Sequence, residues 1–225
     1  MKIQEFRSRG TLFFVLFAMD QASRFESLIA PQIPKNAIPY CVDLWRDIPF
    51  SFKITGKRKT KLGDFRFHPD RSIQTITINR TLNPYQFLLT FIHEYAHLAT
   101  FNKHGGRVSP HGKEWKSKFQ QLMSPLLQDD FFPRDLLIPL QRHMRAPKAS
   151  SSRDLFLMKE MSKYDLEDQL DQTVFLSDLR PGIAFELSGR IFKKGETRRT
   201  RVLCEEVKTG KKYLIAQLAK VKSLN

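Results

Sequence analysis

The chain has 225 residues, 41% hydrophobic and 27% charged, the proportions of a soluble globular protein of one or two domains. Two isolated cysteines, Cys41 and Cys204, exclude a disulfide framework and agree with a reducing cytoplasm. A net charge of +15 and a pI of about 10.0 favour a polyanionic partner, nucleic acid first and an anionic membrane surface second, over a basic surface with no partner.

Residues 1–18 form an uncertain N-terminal extension. Lys2, Arg7 and Arg9 precede the apolar run Thr11–Ala18, which is similar to the core of a signal peptide. No small-x-small cleavage site follows, and the run is too short to span a bilayer, so no stable membrane insertion is expected. The readings rank as a misassigned start ahead of Met19, then a tail, then a signal peptide. From Gln21 to Ala30, Ala22, Phe25, Leu28 and Ile29 recur at helical spacing, and Pro31 ends the pattern. A second short helix is expected over Ile38–Trp45.

The period then changes to two. Phe50–Ile54, Leu62–Phe67 and Ile73–Ile78 alternate, with breaks at Gly56 and at Pro69-Asp70, and predict three antiparallel strands. Next comes a long helix. Asn83-Pro84 supplies an N-cap and a proline in the first turn, and Tyr85–Phe101 runs without glycine or proline. Phe87, Leu88, Phe91, Ile92, Tyr95, Ala96, Leu98 and Ala99 make that helix apolar around most of its girth, as in the interior of a domain.

Beyond Gly105-Gly106, Ser109 and Pro110 predict the N-cap and first residue of another helix, whose Trp115, Phe119 and Leu122 face a core. Phe131-Phe132-Pro133 and Leu136–Leu140 are expected to pack back on the same domain. Arg142–Arg153 reads as a basic linker and Leu155–Leu170 as a helix. The end differs in kind: Ile183–Leu187, Gly189–Phe192, Thr200–Val207 and Tyr213–Leu218 predict short strands of a small, barrel-like β module. From residue 180 onward, twelve lysines and arginines stand against four glutamates.

The long helix carries His93-Glu94-Tyr95-Ala96-His97, an HExxH motif. Histidines four apart lie on one helical face, about one turn (~5.4 Å) apart, so both can reach one metal ion. The glutamate beside the first can take a proton from water on that metal. The competing reading is a pair of solvated or core histidines, but a polar cluster on so apolar a helix is costly to bury without partners. A catalytic zinc takes three protein ligands and leaves a position for water, so a third donor is needed. His104 and His111 compete. His104 lies seven residues after His97, two turns away, where it complements the C-terminal end of the helix dipole. His111 is favoured, placed in the first turn of a helix that folds back.

HEYAHLATF followed by GRVSPHGKEW resembles the SprT-like family of zinc metalloproteases, which includes the Spartan proteases that act on proteins crosslinked to DNA. Upstream, Lys61–Arg66, Ile76–Asn79 and Leu82-Asn83-Pro84 are also similar to that family, and the resemblance runs over roughly residues 20–125. It implies His93, His97 and His111 as ligands of Zn2+ and Glu94 as general base. Bacterial members end in a zinc ribbon of paired cysteines, for which this chain has too few.

The expected fold is α+β: a small antiparallel sheet on a zinc-binding helix pair, zincin-like by resemblance, with a small C-terminal β module. The expected domains are 19–141 for the metalloprotease, 142–179 for a linker with a helix, and 180–225 for the basic module. The expected function is zinc-dependent peptide-bond hydrolysis in the cytoplasm, on protein substrates attached to or lying on DNA. The alternative is a non-catalytic zinc protein that binds nucleic acid or serves a stress response. Tyr95 points off the ligand face.

Overall fold

The computed structural model describes residues 20–56, 58, 61–151, 154–165 and 173–224. The expectations for residues 1–18, for a start at Met19, for Arg153 and for 166–170 of the last helix fall outside them. The chain divides into two compact units, Met1–Leu137 and Ile138–Asn225. Among the described residues, no helix is long and apolar enough to cross a membrane.

In the first unit, α1 covers residues 20–29 and α2 covers Ile38–Asp47. Ala22, Phe25 and Ile29 of α1 are buried as their spacing requires, but Leu28 is exposed. Phe25 meets Trp45, Phe50, Phe52 and Phe91 at ring distances of 5.2–6.2 Å, the centre of an aromatic core. Strands β1 (Ser51–Thr55), β2 (Gly63–Arg66) and β3 (Thr75–Asn79) form a sheet of order β1-β3-β2.

That sheet is not the antiparallel one expected. β3 runs antiparallel to β2 but parallel to β1. Alternation fixes which residues share a face, not which strand lies alongside. Here the last strand takes the central place, and each of its five residues is buried. Buried Asn79 closes the strand's end: Nδ2 donates to Lys61 O at 2.7 Å, and Oδ1 accepts from Arg58 Nε at 2.7 Å and Thr55 Oγ1 at 3.2 Å.

Helix α3 spans Pro84–His104 and packs on β2 and β3. Its start is as expected, with Asn83 Oδ1 accepting from the Gln86 N–H at 2.9 Å. Gly105, with φ 62°, ends it in the left-handed region that glycine tolerates. Helix α4 spans Lys113–Met123 and buries Trp115, Phe119, Leu122 and Met123. Helix α5 spans Arg134–Arg145, and the division between units falls inside it. The basic stretch expected as a linker from Arg142 is therefore helical as far as Arg145.

In the second unit, helix α6 (Leu155–Ser162) is capped by Asp154, whose carboxylate accepts from the Leu157 N–H and contacts the buried His143 Nδ1 at 3.0 Å. Six strands follow: β4 (Thr173–Phe175), β5 (Ala184–Leu187), β6 (Arg190–Thr197), β7 (Arg201–Glu206), β8 (Lys212–Ala216) and β9 (Lys220–Ser223). They pair antiparallel in the order β4-β9-β5-β6-β7-β8. Leu176, Phe185, Phe192, Val202, Cys204 and Val221 form the core on one face.

Candidate metal centre

α3 supplies His93 and His97, and their four-residue spacing sets the rings on one face, centroids 5.0 Å apart. His111 comes from the segment before α4. Ser109 and Pro110 do not start a helix. The Gly112 N–H closes a turn onto Ser109 O at 2.9 Å, and Gly112 is itself the N-cap of α4. A Cβ at Gly112 would lie 2.9 Å from that same carbonyl, so the turn requires glycine. His111 sits within this turn at φ 60°, a left-handed backbone that costs a non-glycine residue about 1–2 kcal/mol. Such strain is commonest where a side chain must be aimed.

The aim is at the other two histidines. His111 Nε2 lies 2.9 Å from His97 Nε2 and 3.3 Å from His93 Nε2. Two nitrogens bound to one tetrahedral zinc at ordinary lengths lie roughly 3.3 Å apart. All three ligand nitrogens fall within 4.8 Å of one another. Burial, with His111 alongside, pushes the His97 pKa down to about 4, and burial also lowers that of His111. Neutral imidazoles turned on one point are a donor set for a metal ion, so these three residues fit one. His104, in the last turn of α3, is not in the group.

Trp115 underlies all three rings. It stands four residues beyond His111, in the first turn of α4, with ring centroids 4.7 Å from His93, 5.2 Å from His97 and 4.7 Å from His111. Phe119 stacks on it at 4.9 Å. Among the described residues the buried indole Nε1 has no hydrogen-bond partner.

Glu94 is 7% exposed and leaves α3 toward β2. Burial pushes its carboxyl pKa up to about 8; the neighbouring Phe65 N–H pulls the other way, and nearby Asp64 adds to the rise. Tyr95 points elsewhere, as expected. It lies among Phe50 and Phe91, and its hydroxyl meets Asp47 Oδ2 at 3.3 Å.

Sequence reasoning missed Gly63 and Phe65 as neighbours of Glu94, and it read Trp115 as core without its contact to the histidines. Two signals were available. A glycine inside a strand pattern marks close approach of another group, and His111 and Trp115 are four residues apart.

Comparison with curated proteins and with solved structures gives no match. Residues 45–132, the stretch that holds the three histidines, Glu94, Gly63 and Trp115, match the model of the SprT-like family.

Proposed function

We propose that the protein is a zinc-dependent metallopeptidase of SprT-like type, with His93, His97 and His111 holding the metal and Glu94 acting as general base. One observation carries the reading: three imidazole nitrogens gather, the closest pairs 2.9 and 3.3 Å apart, and the residue that follows His93 in the chain is a buried glutamate. Zinc held by three histidines supplies Lewis acidity toward a scissile carbonyl and acidifies water. Glu94 takes the proton of the attacking water and delivers it to the leaving amine. His111, fixed by its turn, and Trp115, packed under the rings, keep the donors oriented. Among the described residues the group numbers three. That is the ligand number of a site with a position for water, which favours turnover over the non-catalytic alternative.

The substrate class we propose is protein attached to or lying on DNA. Its support is the family likeness together with charge. The turn between β6 and β7 carries exposed Arg198 and Arg199, and exposed Arg201 opens β7, in a unit where basic residues far outnumber acidic ones. The cytoplasm is the compartment proposed, in keeping with free Cys41 and Cys204.

The test is cleavage of a denatured protein by the full-length zinc-loaded chain, with and without DNA. Glu94→Gln should keep its zinc and lose about 10²–10⁴-fold in rate. A variant that cleaves at the parental rate would refute the reading.

A further inference from the structure

We infer that Gly63 and the Phe65 N–H form a clamp on the edge of the sheet that positions the Glu94 carboxylate, the space in which the glutamate lies being the side chain that Gly63 lacks. The inference rests on Glu94 being the general base, and Gly63 is then a positioning residue for it.

β2 is an outer strand with β3 on one side. The Asn79 N–H donates to Leu62 O, so Leu62 and Asn79 are a hydrogen-bonded pair. By the antiparallel alternation, Gly63 and Phe65 then turn their backbone groups away from β3. Toward that open side the Phe65 N–H meets Glu94. Gly63, two residues back, shares a face of β2 with Phe65 and lies against α3.

A Cβ built on Gly63 would stand 2.7 Å from Thr90 Cγ2 and 2.8 Å from both Cγ and Oε1 of Glu94. Neither neighbour can step aside freely. Thr90 Oγ1 is tied to Gln86 O at 2.7 Å, and Glu94 is buried at 7% exposure. Backbone freedom does not explain the glycine, because Gly63 is not among the residues with positive φ. A glycine within a strand weakens it, so its presence here is accounted for by the space it leaves. The strand that carries the clamp is tied to β3 at its start, where Asn79 Nδ2 donates to Lys61 O at 2.7 Å. A rigid support of this kind is what holds a catalytic group in place.

The experiment uses the full chain and starts with Gly63→Ala. No histidine is altered, so zinc content should stay parental. The added methyl should lower kcat about 100-fold with KM unchanged, the size expected when a catalytic group is displaced by about 1 Å. It should also lower Tm by roughly 5 °C through overpacking. Adding Thr90→Ser removes only Cγ2 and keeps the bond to Gln86. It should recover part of the Tm but not kcat, since both encounters with Glu94 remain.

A second arm needs no activity. In a Glu94→Ala background, Gly63→Ala should cost no more than about half the Tm it costs in the parent. Parental kcat in Gly63→Ala overturns the clamp. So does kcat that returns together with Tm on adding Thr90→Ser, or an equal Tm cost in both backgrounds. An inactive parent instead counts against the peptidase reading, and the Tm comparison still decides the clamp.

Discussion

Glu94 in the first unit and Lys194 in the second are both buried, 7% and 4% exposed, yet their surroundings differ. Lys194 Nζ donates to Leu179 O at 2.6 Å and to Ser177 O at 3.2 Å. Burial lowers its pKa while Cys204 and Asp178 act against that, and the ammonium pins the 177–179 segment onto β6. Two of its three N–H donors are met within its own unit. Glu94 has the Phe65 N–H as its neighbour on β2 and shares α3 with His93 and His97. A carboxylate has about four acceptor sites, so Glu94 keeps capacity for another group. Burial of a charge alone does not separate the two; the presence of His93 and His97 on the same helix as Glu94 does.

The largest effect should come from the histidines. His93→Ala, His97→Ala or His111→Ala should each bring zinc per chain close to zero after dialysis, measured by plasma mass spectrometry. His104→Ala should match the parent. Full loading of His111→Ala together with loss in His104→Ala would move the third ligand and undo the contrast with the C-terminal unit.

Trp115 sharpens the comparison. Trp115→Ala should weaken zinc binding by about 10–100-fold, the usual cost of losing a group that orients ligands. Trp115→Phe keeps a ring under the histidines and removes only the indole N–H, so its affinity should stay within a few-fold of the parent. Equal losses in both variants would mean that the indole itself, not an aromatic floor, is required.

Lys194→Met should act on stability alone. Two carbonyls lose their donor, which costs about 1–3 kcal/mol in denaturant unfolding. Zinc content and peptide cleavage should be unchanged. Lost cleavage at parental stability would show that the second unit's buried charge takes part in the chemistry.

The smallest effect is expected at the surface of the second unit. Arg198→Gln with Arg199→Gln should make the dependence of log DNA affinity on log salt shallower by roughly 2, near 0.9 per lost phosphate contact. Peptide cleavage without DNA should not change. An unaltered slope would mean that this turn is solvated basic surface.

Much of the first unit was legible because local chemistry dictated it. Asn83-Pro84 and the uninterrupted apolar run mark α3, and four-residue spacing gathers His93 and His97. What could not be read depended on distant partners. Alternation revealed three strands but not that β3 lies between β1 and β2. The role of Gly63 depends on side chains of α3 far along the chain. Ser109-Pro110 mimics a helix start, whereas the turn closed by Gly112 delays α4 and lets His111 face the other rings. In α5, the charge of Arg142 and Arg145 drew attention from Leu136, Leu140 and Met144, whose four-residue spacing continues the helix. β4 and β9 went unread because each is short and β9 buries only Val221.

The most direct measurement is X-ray absorption spectroscopy at the zinc edge on the full-length protein loaded with one zinc per chain. Three imidazole nitrogens at about 2.0–2.1 Å with one oxygen completing the shell is the expected result, and His111→Ala should lose the site. A fourth protein ligand closing the shell, or an unchanged spectrum in His111→Ala, would contradict a three-histidine centre with a position for water.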